Sequence, residues 1–153
     1  MKILSKEEII IEFEKLQTFG KNDILLDEED INQVLNDKDL VAMGVCEKSS
    51  ETSSFDAMSS IVMDFEENNL LLNNVDGILI NFQLNSSYEL IRLVEAMDVI
   101  YSKCKSNNIN NEPDTIFGVS CNNDLKDDYV KVTMFVGYSK KGSLKYVNNL
   151  KGN

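Results

Sequence analysis

The N-terminal part of the chain carries an apolar pattern with helical spacing. Ser5 and Glu8 are spaced as in a helix N-terminal capping box. The apolar residues that follow repeat at intervals of three and four positions: Ile9, Ile10, Phe13 and Leu16. This pattern predicts an amphipathic helix over residues 5–18 that ends near Gly20.

A second helix is predicted to begin within the acidic stretch "NDILLDEEDINQVL", residues 22–35. Asp27 stands at the N-cap position, and Glu28, Glu29 and Asp30 fill the first turn, where the helix dipole favours negative charge. The apolar face of this helix comprises Ile31, Val34 and Leu35. A capped helix start is a sufficient explanation of the four acids.

The rest of the chain alternates short apolar runs with longer helical patterns. Strands are predicted at 40–46, 76–84, 115–121 and 129–138. Helices are predicted at 54–67, with apolar positions Phe55, Met58, Ile61, Val62 and Phe65, and from Ser86 or Ser87 to about Cys104, with apolar positions Leu90, Ile91, Val94, Met97 and Tyr101. The connection "NNDLKDD", 122–128, has the length of a hairpin between the last two strands.

This order of elements is βαβαββ after one or two N-terminal helices, which predicts an α+β two-layer sandwich built on a mixed sheet. With 153 residues and 42% hydrophobic composition, the chain suits one domain with a substantial core. We divide it into an N-terminal helix (1–21), the βαβαββ domain (22–138) and a polar tail (139–153).

An excess of acidic side chains narrows the range of partners. Fifteen Lys and Arg against 26 Asp and Glu give a net charge of −11, which would repel phosphate backbones and anionic lipid surfaces. We therefore expect neither nucleic acid nor membrane as a partner. No apolar run reaches the roughly 20 residues that span a bilayer, and acids interrupt the first apolar stretch, unlike in a signal peptide. A cytoplasmic protein is expected.

The residue content argues against several kinds of chemical site. The chain has no His, which removes Ser-His-Asp and Cys-His nucleophiles. Its seven glycines stand singly, so no Gly-rich loop can hold phosphates. Cys46, Cys104 and Cys121 lack C-x-x-C spacing, and residues 122–128 lack the Gly and Glu of an EF-hand calcium loop. We predict no cofactor, no metal and no catalytic residue, and the acids at 27–30 remain the one candidate site.

Several segments resemble, in the same order, segments of the C-terminal domain of FtsZ, the bacterial tubulin-like division protein. "LVAMG" (40–44) is similar to its first strand, "NNLLLNNVDGILINF" (68–82) to a helix exit and the following strand, "TIFG" (115–118) to its third strand, and "DDYVKVTMFVGY" (127–138) to its last. The similar order and spacing extend over residues 22–138, about three quarters of the chain.

The resemblance also gives the acidic stretch a role. "ILLDEEDINQVL" (24–35) is similar to the loop and helix start that in FtsZ carry an N-x-D-x-x-D pattern into the nucleotide pocket of the next subunit, where the carboxylates polarise the water that attacks GTP. Asp27 and Asp30 match the two aspartates, whereas Leu25 stands where the family has Asn. The Gly-rich nucleotide-binding half and the C-terminal partner-binding peptide of the family have no counterpart in the sequence.

The resemblance implies a non-catalytic protein that binds FtsZ through Asp27, Glu28, Glu29 and Asp30 and caps or modulates its filaments in cell division. Asp27 and Asp30 would take part in GTP hydrolysis only at another subunit's site. A variant of this hypothesis is a half that complements a separate nucleotide-binding domain. The alternative is a small α+β regulatory or ligand-sensing domain that acts as a homodimer and is unrelated to FtsZ assembly. Hydrolysis by the acids alone is disfavoured, because they form an incomplete site.

Overall fold

The chain folds around a five-stranded mixed sheet. The computed structural model describes residues 1–16, 24–104, 112–139 and 150. Within these residues the strands are β1 (Lys2–Leu4), β2 (Leu40–Ser49), β3 (Gly77–Leu84), β4 (Asp114–Cys121) and β5 (Tyr129–Tyr138). The helices are α1 (Lys6–Glu14), α2 (Glu28–Val34), α3 (Ser53–Glu67) and α4 (Ile91–Cys104), with a 3-10 turn at Leu72–Asn74. The predicted α+β class is confirmed.

β5, the last strand among the described residues, lies at the centre of the sheet, whose order is β1-β2-β5-β3-β4. β5 is antiparallel to β2 and β3, and β3 is parallel to β4. The predicted hairpin of β4 and β5 is therefore wrong, because β3 lies between them. The connection 122–128 passes over the end of β3, where Asn122 N donates to Leu84 O at 2.9 Å and Asn85 Nδ2 donates to Leu125 O at 2.8 Å.

Helices α3 and α4 cover one face of the sheet and enclose the larger core. Their buried residues are Ala57, Met58, Ile61, Val62 and Phe65 in α3 and Leu93, Ala96, Met97, Ile100 and Cys104 in α4. The predicted apolar faces are partly wrong: Phe55 is 45% exposed, and Leu90, Ile91, Val94 and Tyr101 are also exposed. Helix α4 carries apolar residues on two sides. The side that packs on the sheet is not the one that periodicity predicted, and of the predicted positions within α4 only Met97 is buried.

Helix α4 also begins later than predicted, at Ile91 instead of Ser86 or Ser87. The Asn85 side chain accepts from Ser87 N at 2.9 Å, and its main-chain oxygen accepts from Tyr88 N at 3.0 Å. Such local bonds from an Asn side chain compete with helix formation, so residues 85–90 form turns before the helix starts.

The opposite face of the sheet is covered in part by α1 and α2. Their smaller core joins Ile9 and Phe13 of α1 and Ile31 and Val34 of α2 to sheet residues such as Leu79. The predicted capping box of α1 is confirmed, since Glu8 N donates to Ser5 Oγ and Ser5 N donates to Glu8 Oε1, both at 3.2 Å. The helix ends at Glu14, earlier than predicted, and Ile10 is exposed.

Strand β1 was not predicted from the sequence. Its three residues pair with Val41–Met43 of β2 and extend the sheet by one edge strand. The Lys2 ammonium lies 2.8 Å from the Glu8 carboxylate, which ties β1 to α1.

The predicted helix end near Gly20 and most of the predicted polar tail lie outside the described residues. Across the described residues, no helix has the length and apolar character needed to cross a membrane.

Candidate interaction site at the start of helix α2

The acids at 27–30 form a reciprocal cap on α2. Asp27 has an extended backbone at the N-cap position, and its Oδ1 accepts from Asp30 N at 3.0 Å. In return, Asp30 Oδ2 accepts from Asp27 N at 2.8 Å. Each carboxylate thus satisfies a main-chain N–H that the helix itself leaves unpaired. The predicted capped helix start is confirmed.

Each of these two carboxylates keeps its second oxygen for another partner. Among the described residues, no hydrogen bond uses Asp27 Oδ2 or Asp30 Oδ1, and the ion pairs there involve none of the four acids. Asp27, Glu28 and Glu29 are exposed, and Asp30 is half-buried. The start of α2 therefore presents a compact negative surface to solvent.

The loop before the acids is fixed to the edge strand β4. Ile24 N donates to Val119 O at 2.8 Å, and Val119 N donates to Ile24 O at 2.9 Å. Leu26 is buried over Gly118, where a Cβ would lie 2.6 Å from Leu26 Cγ and 2.7 Å from Ile24 O. Only a residue without a Cβ permits this approach. The loop therefore has a defined position on the sheet.

Ile24 and Leu25 point outward from this loop and are 48% and 49% exposed. They lie three and two positions before Asp27, so the surface combines two large apolar side chains with four carboxylates. Sequence reasoning missed the apolar part, because exposure of Ile24 depends on the bridge to Val119. The lone Gly118 within an apolar strand was the available signal for a close backbone approach.

The other end of α2 is also held directly against the sheet. A Cβ on Gly77 would lie 2.3 Å from Val34 O, and one on Gly137 would lie 2.6 Å from Lys38 Cγ. Gly77 thus lies under the end of α2, and Gly137 lies under the residues that follow α2. At both points the helix segment approaches the sheet too closely for a side chain. The acids are presented by a helix whose position is fixed at both ends.

The chemistry available at this surface is that of carboxylates. They can accept hydrogen bonds, pair with Lys or Arg, or place negative charge near a partner's reacting group. Within the described ranges, no group of three or more Cys, Asp or Glu side chains is arranged to hold a metal ion.

The chain is similar in fold to part of the structures of FtsZ and TubZ. It aligns with the empty FtsZ dimer of M. jannaschii at a TM-score of 0.62 and 20% identity, over 79% of this chain and 34% of that one. The W319Y mutant of the same FtsZ gives a TM-score of 0.61 at 19% identity, over 77% and 33%. TubZ of Bacillus thuringiensis serovar israelensis, in GDP-form protofilaments, gives 0.53 at 11% identity, over 90% and 35%.

At these identities the likeness shows the fold, and it confirms the predicted fold like that of the FtsZ C-terminal domain. The chain spans about a third of the length of these three structures. No protein-family model matches the sequence, and no curated protein matches it.

Proposed function

We propose that this protein binds a subunit of an FtsZ-like filament in the cytoplasm and changes filament assembly or GTP turnover during cell division. The binding surface comprises Asp27, Glu28, Glu29 and Asp30 together with Ile24 and Leu25, and we name it the acidic surface. The observation that supports the proposal is the fixed position of this surface on a fold like that of FtsZ.

The structure of the surface suits protein binding. Rigid presentation lowers the entropy lost on association, because the loop and α2 are already ordered against the sheet. The carboxylates would steer a basic partner surface, while Ile24 and Leu25 offer apolar area for contact. A partner with Lys or Arg beside an apolar patch fits this combination.

In this role the protein is not itself the enzyme. Asp27 Oδ2 and Asp30 Oδ1 would face the nucleotide of the bound subunit and supply negative charge there. Leu25, at the position of the family's Asn, supplies no hydrogen bond to a water or a phosphate. Binding would then occupy the nucleotide face of a terminal subunit and supply little catalysis, so the protein would act as a cap.

The experiment is sedimentation of full-length FtsZ with GTP, with phosphate release followed in parallel, as this protein is titrated from substoichiometric amounts. We expect pelleted polymer and phosphate release to change at low ratios. The double variant Asp27→Asn, Asp30→Asn should lose most of the effect. Asn is as good an N-cap as Asp, so this variant removes charge while α2 stays capped.

A matched control is the double variant Glu28→Gln, Glu29→Gln, which removes the same net charge from the same turn. If both variants lose activity equally, the surface acts by its total charge and not through the Asp pair. If the unmodified protein moves neither quantity at any ratio, the proposal is wrong. The regulatory alternative would then be the better hypothesis.

A further inference from the structure

A groove of about 400 Å³ runs between α1 and α2 on the outer side of the smaller core. Its floor is apolar and consists of Ile9, Ile10, Phe13, Ile31 and Leu35. Most of these side chains are buried in the monomer, but Ile10 is 55% exposed. The groove therefore offers apolar area, and the side chain of Ile10 stands at its edge.

The two helices run in opposite directions along this groove. Leu4, which precedes α1, pairs with Val41, and Val41 is in register with Gly137 and Gly77 across the sheet. The residues at the end of α2 pack against the same two glycines. The start of α1 thus lies at the same edge of the sheet as the end of α2. Because Glu14 at the end of α1 and Glu28 at the start of α2 line the same groove, we infer that the other two ends are also neighbours.

This antiparallel arrangement separates the charges that line the groove. All four line the groove: Lys6 begins α1 and Lys38 follows α2, which places them at one end, whereas Glu14 ends α1 and Glu28 begins α2, which places them at the other. Among the described residues, none of these four side chains forms an ion pair. The groove has a basic end and an acidic end, and both remain free to pair with another molecule.

We infer that the groove is the interface of a two-fold symmetric dimer of this chain, formed by α1 of each copy lying antiparallel across the other. Lys6, Ile10 and Glu14 follow one another at intervals of four residues on the side of α1 that faces the groove. With Ile10 on the two-fold axis, Lys6 of one copy lies opposite Glu14 of the other, about 6 Å along the helix from the axis.

A second copy is the occupant that the charge pattern selects. An interface with two-fold symmetry brings the same surface of each copy together, so it must be self-complementary. A sequence that reads Lys, Ile, Glu at equal spacing meets this condition when the helices are antiparallel, and it fails when they are parallel. Each copy carries a net charge of −11, so pairing of Lys6 and Glu14 also offsets repulsion at the contact.

The test is sedimentation velocity of the 153-residue chain from about 10 μM to about 1 mM, a range chosen because one helix pair buries less area than a standard interface. We expect a concentration-dependent dimer. Ile10→Glu should raise its Kd at least about 10-fold, since a central apolar residue contributes most to such a contact. Ile11→Glu is the matched control: Ile11 is 52% exposed, adjacent in sequence and not part of the groove.

A charge exchange distinguishes this dimer from any other. Lys6→Glu and Glu14→Lys should each weaken the dimer about fivefold at low salt, because each creates two like-charge contacts per dimer. The double variant Lys6→Glu, Glu14→Lys should restore it. Lys6→Glu adds negative charge at the N-terminus of α1, and Glu14→Lys adds positive charge at its C-terminus. Both charges are favourable for the helix dipole, so unfolding of α1 would not explain a weaker dimer in the single variants.

Three results would overturn the inference: a monomer throughout the range, a dimer unaffected by Ile10→Glu, or a double variant weaker than both single variants. The first would leave the groove to a helix of another protein. The inference does not rest on FtsZ binding. Glu28 belongs to both surfaces, but Ile10→Glu changes no residue of the acidic surface, so FtsZ sedimentation with this variant tests that function with its binding residues unaltered.

Discussion

At the level of single residues, the Asp27 and Asp30 carboxylates combine a helix cap with the proposed binding role, and the two roles use different oxygens. One oxygen of Asp27 and one of Asp30 cap α2, and no hydrogen bond among the described residues uses the other two. The cap was predictable from sequence because it depends on residues three positions apart. The neighbouring exposure of Ile24 was not, because it depends on a bridge to Val119, which lies 95 positions further along the sequence.

The two roles can be separated by substitution at Asp27. Asp27→Ala removes the acceptor for Asp30 N and should lower the free energy of unfolding by about 1 kcal/mol, whereas Asp27→Asn should cost only a small fraction of that. Urea denaturation followed by circular dichroism measures both. Equal stability of the Ala variant and the unmodified protein would show that the cap contributes nothing.

A second prediction at this scale concerns the cysteines. Burial in the core raises the pKa of the Cys104 thiol to about 12, so at about pH 8 it stays protonated in the folded protein. Thiol reagents attack the thiolate, so Cys104 should react far more slowly than in the unfolded chain. Mass spectrometry of alkylated peptides, with and without urea, gives the comparison. Rapid native labelling of Cys104 would contradict its burial at the end of α4.

The raised pKa of Cys104 also predicts that the folded protein loses stability at alkaline pH. The unfolded Cys104 thiol ionises near its ordinary pKa, and the folded thiol does so only at about 12, so the folded state holds the proton longer. Stability that is present below the unfolded pKa is therefore lost as pH rises toward the folded pKa. Unfolding midpoints in urea should fall above about pH 9. A Cys104→Ala variant should show a weaker pH dependence over the same interval.

At the level of elements, the sequence pattern predicted most helices and strands. It failed where the same pattern is compatible with more than one tertiary arrangement. Helix α4 has two apolar sides, and periodicity alone does not show which one meets the sheet. Strand β1 has three residues, which is too short for a period of two to be visible. The connection 122–128 has hairpin length, but β5 is buried along most of its length, as expected for a central strand.

The contact between α2 and the sheet gives the prediction at this scale. Gly77→Ala would place a Cβ 2.3 Å from Val34 O, a main-chain atom of α2 that cannot move alone. We expect a loss of about 2–3 kcal/mol in the free energy of unfolding. Gly118→Ala also meets backbone, at Ile24 O, but this atom belongs to a loop. Its cost should be smaller, about 1 kcal/mol.

Hydrogen exchange of main-chain amides distinguishes the effect of Gly77→Ala from that of Gly118→Ala. Gly118→Ala should speed exchange of the Ile24 amide, which donates to Val119 O, and leave the amides of β5 protected. Gly77→Ala should reduce protection across α2 and the sheet together. If both variants have the same stability and the same exchange pattern, α2 is not held more firmly than the loop that precedes it.

At the level of the whole molecule, the position of β5 makes the sheet depend on the C-terminal part of the chain. β5 pairs with β2 over ten residues and with β3 over eight, and among the described strands it alone joins the two halves of the sheet. Contacts between residues far apart in sequence must therefore form before the core closes, which makes the topology slow to fold. The order of the strands depends on the same long-range contacts, so it could not be predicted from local sequence pattern.

A pair of truncations tests this dependence. A chain that ends at Asp128 lacks β5, so β2 and β3 lose their shared partner and the apolar residues of both strands lose their cover. We expect no cooperative urea transition, and we expect the shortened chain to bind a hydrophobic dye.

A chain that ends at Ser139 keeps β5 and the bond from Ser139 N to Asp76 Oδ2 at 2.7 Å. It should unfold cooperatively, with a midpoint close to that of the full chain, because residues 140–153 belong to the predicted polar tail. Cooperative unfolding of the shorter chain would mean that β5 completes a sheet that already folds without it, and a large loss in the longer chain would mean that the tail is part of the domain.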